Sequence, residues 1–573
     1  MSQVANKQGN QGYGPLLPMK TSDLFLRCLE AEGVEYIFGL PGEENADLMI
    51  SLLDSSIKFI LTRHEQSAAF MADVYGRLTG KVGVCLSTLG PGATNLTTGI
   101  ANANMDRSRV LAITGQTDSH MLHKESHQNM DVITMFKPIT KWNQSIRNAD
   151  NIPEIVRRAF KIAQEEKAGA THIELPQDVA KQESRIRPIE KPSEVLRSHP
   201  NKSLIEKAVR LILEAEKPLV LVGNGCIRGN ASFHVRRFVE KTGICSMNTF
   251  MGKGVISDRW ERHLQTIGIK AADHALIAMK EVDLVIAIGY DLVEYSPRFW
   301  NGDITKKIIH MDFTPAEVDT YYPPTVEIAA DIELTINAIL TELEKEKNQN
   351  PNLKCFPCHD VPATFKRIKK ELVERVLRYA NDPSYPIKPE KLIVDVRRSL
   401  DDRDILISDV GAHKLWIGKT YYTYDPNTCL ISNGFASMGF ALPGAIAAQL
   451  AFPERKVVAM CGDGGFLMNV QEIETAVRLK LPVIIVIWCD REFGVIALKQ
   501  IDEFGKKAFT EFNNPDFVKL ASSFGAIGYA VKSTVEFPDI LEQAKMSKDI
   551  PVLISVDIDY SRNKILLDDN FLD

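Results

Sequence analysis

The stretch Lys456-Val457-Val458-Ala459-Met460-Cys461-Gly462-Asp463-Gly464-Gly465, followed through to Asp490, decides the reading of this chain. An apolar, β-prone run leads into Gly-Asp-Gly-Gly, where a backbone can approach a ligand with no Cβ in the way. Residues 469–480 are expected as a helix and 481–488 as the next strand. A helix of about a dozen residues climbs roughly 18 Å, and eight strand residues return about 26 Å. Asp490 is thereby expected beside Asp463, both at carboxyl ends of neighbouring parallel strands, the edge where open α/β sheets bind ligands. Two carboxylates, backbone carbonyls and phosphate oxygens together make the octahedral oxygen site that Mg2+ prefers.

Bulk properties narrow the class. A chain of 573 residues is too long for one core, so three or four domains are expected. Its 45% hydrophobic and 25% charged residues are those of an ordinary globular protein. A net charge of −6 without a basic block argues against nucleic acid or an anionic membrane as partner. No apolar run reaches the roughly 18 residues of a membrane span. The first fifteen residues are polar, without the apolar core of a signal peptide. The cysteines, Cys85, Cys245 and Cys461 for example, are mostly scattered singly through apolar segments. That usage fits reduced thiols, and a cytoplasmic location is expected. Cys355-Phe356-Pro357-Cys358-His359 has the spacing of a covalent haem site or a zinc half-site. It has no second Cys pair nearby and is read as linker.

Several strand ends open into turns that could hold a ligand. A strand at 35–38 runs into Gly39-Leu40-Pro41-Gly42, and a strand at 59–62 runs into Arg63-His64-Glu65-Gln66, the start of a helix expected through Tyr75. A carboxylate in a first helical turn already has a purpose, since it favours the macrodipole and caps free N–H groups. Gly90-Pro91-Gly92-Ala93-Thr94-Asn95 starts another helix, either as an anion-facing terminus or as a plain turn. Asp409-Val410-Gly411-Ala412-His413 follows the strand at 405–408, and Ser432 to Pro443 is a further glycine-rich segment.

In this order the segments resemble enzymes that use thiamine diphosphate, and acetolactate synthases in particular. A Gly-Asp-Gly closed by Asn or Asp about twenty-five residues on is that family's signature. The usual closing pair is two asparagines; Cys489-Asp490 stands here and resembles the catabolic branch. The resemblance implies that Asp463, Asp490 and the backbone carbonyl of Glu492 hold Mg2+. It assigns Pro41, Gly42, Gly411, His413, Gly464 and Gly465 to the cofactor, and Met438 to the wedge between its two rings. Glu65 becomes the catalytic residue, bonded to a pyrimidine nitrogen so that the imino tautomer can take the thiazolium proton. Gln128, in the loop at 126–131, and Lys499, on the segment at 493–500, are the implied substrate contacts.

The implied fold is α/β, with three doubly wound parallel-sheet domains. These are a pyrimidine-binding domain at 18–186, a central domain at 202–345 and a diphosphate-binding domain at 386–560. Linkers at 187–201 and 346–385 and tails at 1–17 and 561–573 complete the chain. In the central domain Gly223-Asn224-Gly225 lacks the third glycine of a dinucleotide turn. Gly289-Tyr290-Asp291 followed by Glu294-Tyr295 resembles flavin-independent relatives, so FAD is not expected. The resemblance also implies a homodimer or homotetramer in which one chain's first domain meets another's third. Pyruvate is then both donor and acceptor, giving 2-acetolactate and CO2. Lys499 stands where relatives carry Trp or Gln, which leaves open another acceptor or plain 2-keto acid decarboxylation. A non-catalytic thiamine diphosphate-binding scaffold is the alternative of another class.

Overall fold

The computed structural model describes residues 17–190, 197–268, 274–350 and 361–563. The Cys355–His359 motif lies outside them, as do most of the two expected tails. Strands such as Gly83–Ser87, Leu284–Ile288 and Ile484–Cys489 are buried along their whole length. Continuous apolar strands of that kind require cover on both faces, which parallel sheets between helix layers provide.

Three six-stranded parallel sheets result. Numbered by chain order within each sheet, the strands of the first and third domains run 2-1-3-4-6-5, whereas the central sheet runs 3-2-1-4-5-6. The outer two domains therefore share one topology, and the central one has the order of a dinucleotide-binding fold. Its glycine turn is closed by protein, however. A Cβ at Gly223 or Gly225 would overlap the Gly289 backbone, and the Gly225 N–H donates to the Gly289 carbonyl at 2.8 Å.

Three expected boundaries move. The helix expected at 469–480 spans only Glu472–Arg478, with a separate helical turn at Asp463–Phe466. Asn469 is instead spent on tertiary bonds, accepting from Ser67 at 3.0 Å and donating to the Gly439 carbonyl at 2.7 Å. The following strand starts at Ile484 rather than Leu481; Pro482, which has no N–H to give a ladder, lies between. The stretch 346–385, expected as linker, contains the helix Ala363–Tyr379. Phe365, Ile368 and Leu372 bury its apolar stripe against the central domain.

The Glu65–Thr79 helix runs one turn past Tyr75, to Gly80 in the left-handed conformation at φ 71°. It packs along Ala441–Ala451 of the third domain. Both helices are rich in small residues, and one apolar cluster runs from Phe38 and Cys85 of the first sheet to Ile407 and Ala459 of the third. Phe70 and Phe440 meet edge to face at 5.6 Å. A Cβ at Gly444 would stand 2.9 Å from Val74 Cγ2. Gly444→Val is therefore expected to cost about 1–3 kcal/mol by overpacking this joint. A melting temperature equal to that of the wild type would contradict that packing.

Candidate active site

Val457–Gly462 and Ile484–Cys489 are adjacent parallel strands, with Gly462 opposite Trp488. That register sets Asp463 and Asp490 side by side at the strand ends. Asp463 is 1% exposed and organises its surroundings. Its Oδ1 accepts from the Gly464 N–H at 2.9 Å. Its Oδ2 accepts from the N–H groups of Asp490 at 3.2 Å and Arg491 at 2.8 Å, and from Asn514 Nδ2 at 2.7 Å. Burial first, and then the negative Asp463, push the Asp490 carboxyl up to about 7. A divalent cation between the two carboxylates would offset that penalty. Among the described residues no three His, Cys, Asp or Glu side chains form a metal cluster, so such a cation needs further oxygens. Glu492 spends its carboxylate on Lys507 and Thr510, at 2.6 and 2.7 Å, and so has its backbone carbonyl to offer.

Next to this pair begins the helix Ala412–Thr420, capped by no side chain at Gly411. Its first N–H groups are free to meet an anion. His413, in its first turn, is 2% exposed, and burial pushes its pKa down to about 3, so the ring is neutral. The ring lies against Gly411 and Gly462, its Cε1 3.0 and 3.1 Å from where their Cβ atoms would stand. Its Nε2 is buried without a hydrogen-bond partner. The uncapped helix start fits the diphosphate oxygens of a cofactor, whose negative charge would favour a protonated ring donating from Nε2.

A cavity of 370 Å3 gathers Gly411, His413, Met438, Asp463, Gly464, Gly465, Asp490, Glu492 and Lys499. Every residue of its wall lies between 410 and 560. Sequence reasoning gave no role to Asp409, which fixes one side of this cavity from behind. Fully buried, it accepts from the N–H groups of Val410 at 2.7 Å and Gly439 at 2.9 Å, and so holds the turn that presents Met438. Burial pushes its pKa up to about 7, although these backbone donors pull the other way.

The remaining predicted residues form a second group, on the first domain. Glu65 is 8% exposed, and Asn95 Nδ2 donates to its Oε2 at 3.0 Å. A Cβ at Gly92 would stand 3.2 Å from Glu65 Oε1, and one at Gly42, next to Pro41, would overlap Thr88. Gln128 sits at φ 56° with its carbonyl against Gly90. None of these residues lines the 370 Å3 cavity of the same chain. Within one chain the two groups are joined through Glu472, which accepts from the Arg63 and His64 N–H groups at 3.0 and 3.1 Å.

Three family models match in order along the chain. They are the thiamine pyrophosphate enzyme N-terminal TPP-binding domain over residues 19–135, the central domain over 205–339 and the C-terminal TPP-binding domain over 409–556. Sheet topology and matched domains thus define a thiamine pyrophosphate enzyme. Acetolactate synthase of Bacillus subtilis (strain 168) is 36% identical over 564 residues, covering 97% of this chain and 96% of its own. The catabolic acetolactate synthase of Raoultella terrigena is 33% identical, covering 95% of this chain and 96% of its own. The probable acetolactate synthase large subunit of Methanocaldococcus jannaschii is 36% identical, covering 94% and 92%. With such relatives along nearly its whole length, the chain belongs to the acetolactate synthase family of thiamine diphosphate-dependent enzymes.

Two variants test the site. Asp463→Ala is expected to abolish Mg2+-dependent thiamine diphosphate binding, followed by the fluorescence of nearby Trp488. His413→Ala is expected to weaken it about tenfold, the worth of one hydrogen bond to a charged group. Unchanged affinity in either variant would remove that residue from the site.

Proposed function

We propose that the protein joins two molecules of pyruvate into 2-acetolactate with release of CO2, using thiamine diphosphate and Mg2+. The observation that carries this reading is the single cavity where paired Asp463 and Asp490, the uncapped helix start at Gly411 and His413, and Met438 converge. Asp463, Asp490 and the Glu492 carbonyl would hold the metal; the N–H groups of the 411–413 turn and Gly465 would meet the diphosphate, with Gly464, its N–H held by Asp463, in the same wall. Bound thiamine diphosphate supplies the electron sink that lets a 2-keto acid lose its carboxylate as CO2. Glu65, oriented by Asn95, holds a proton at a pyrimidine nitrogen. Met438, Val495 and Ile496 give the cavity an apolar wall that excludes water from the reacting carbon. Lys499, exposed on the same wall, offers a point charge to the carboxylate of the acceptor pyruvate.

Because Glu65 stands outside the cavity of its own chain, the working unit is a homodimer in which the partner supplies the glutamate. No flavin is required in this reading. The edge of the central sheet where a dinucleotide would lie is taken up by 289–294, with Glu294 accepting from the Asn224 N–H at 2.9 Å.

Purified protein given pyruvate, Mg2+ and thiamine diphosphate without flavin is expected to form acetolactate, read as acetoin after acid treatment. Pyruvate consumption without acetoin would move the reaction to another acceptor, and no consumption would overturn the pyruvate reading. Glu65→Gln is expected to bind cofactor normally while turnover falls roughly 10²–10⁴-fold, the usual worth of acid–base catalysis. Normal turnover would remove Glu65 from the chemistry.

A further inference from the structure

A second cavity, of 350 Å3, lies where the three domains meet and shares no lining residue with the first. Arg77, Arg107 and Arg109 of the first domain and Arg228 of the central domain stand in its wall, which the third domain completes at 427–430. Among the described residues no carboxylate lines it. The acidic partners of these arginines lie behind: Asp291 and Glu166 on Arg228 at 2.6 and 3.1 Å, Asp106 on Arg77 at 3.7 Å, and Glu317 on Arg107 at 3.5 Å.

Those pairs fix the guanidinium groups without using all their donors. Arg107 Nε and Arg228 Nη2 are buried without a hydrogen-bond partner, whereas Arg77 Nη1 faces Asp106, and the Arg228 side chain is only 7% exposed. Arginine stays charged and has five N–H donors and no acceptor, so four guanidinium groups in a wall without a carboxylate suit an acceptor. Burial lowers the pKa of Arg109, and Arg228 and Arg197 push the same way against Glu166. Arg107 is moreover held at φ 59°, a left-handed conformation that non-glycine residues rarely adopt.

The planar fork of a guanidinium matches an oxyanion in two-point contact. Beside the arginines, Leu78, Ile227, Met251 and Leu430 form an apolar wall. The volume falls in the ordinary range of small-ligand sites. We propose that this cavity binds a phosphorylated small metabolite, its phosphate on the arginines and its body on the apolar wall. A ligand bridging three domains binds the assembled arrangement only, and so stabilises it.

The test uses the holoenzyme, saturated with thiamine diphosphate and Mg2+ so that its diphosphate seat is already filled. Phenyl phosphate, which has an anionic head and an apolar body, is titrated in by calorimetry, with inorganic phosphate as second probe. Phenyl phosphate is expected to bind more tightly than phosphate and to raise the melting temperature. Arg107→Gln and Arg109→Gln are expected to weaken its binding at least tenfold while leaving thiamine diphosphate affinity unchanged. Neither heat nor a melting shift from either probe at about 10 mM, or equal binding by wild type and both variants, would overturn the proposal. Variants that melt lower but bind phenyl phosphate as well as wild type would likewise reduce the arginines to interdomain contacts.

Discussion

The packing of the Glu65–Thr79 helix along Ala441–Ala451 is the constraint on which the placing of the site depends. Small residues on both helices let them approach closely, and the apolar cluster between them spans the first and third sheets. This fixes how the two thiamine-binding domains of one chain sit against each other. It also divides the site: the carboxylate pair, the free helix start and Met438 converge on the third domain, while Glu65 and its glycine-rich surroundings stay on the first. The same joint carries Glu472, whose carboxylate takes the two backbone N–H groups just before Glu65. The segment that follows the Asp463 turn thereby steadies the turn that carries Glu65.

The electrostatics of the third-domain cavity are those of a receptor. Asp490 is pushed up by burial and by Asp463, and His413 is neutral with Nε2 unpartnered. In the proposed reading each of these costs would be offset by a ligand of opposite character, a divalent cation for the carboxylates and phosphate oxygens for the helix terminus and a ring protonated beside them. Asp409 has the complementary task. Backbone donors converge on its buried carboxylate, so the turns at 409–413 and 437–439 keep a fixed spacing.

Much of this is legible in the sequence because it is local. Apolar β-prone runs ending in Gly-Asp-Gly-Gly or Asp-Val-Gly are strand-to-turn junctions wherever they fold, and the three-domain α/β arrangement is implied by the family resemblance that those junctions carry. What sequence reasoning missed depends on distant partners. Asn469 leaves its expected helix to bond Ser67, some four hundred residues earlier. Asp409 and Asn514 act on segments well removed from them in the chain. The helix Ala363–Tyr379 did carry a signal, the spacing of Phe365, Ile368 and Leu372, which the Pro- and Asn-rich residues before it obscured. The glycines at 223 and 225, weak as a dinucleotide turn, are required by contact with Gly289.

The central claim is that a working site is completed across two chains, and subunit mixing tests it most directly. Glu65→Gln and Asp463→Ala each inactivate every site of their own homodimer. In a mixed dimer one site collects both defects and the other collects neither. Unfolding and reassembling the two variants at equal concentration is predicted to restore about a quarter of wild-type activity, since half the dimers are mixed and each has one intact site. Activity no higher than the mean of the separate variants would contradict the account and return Glu65 to the cavity of its own chain.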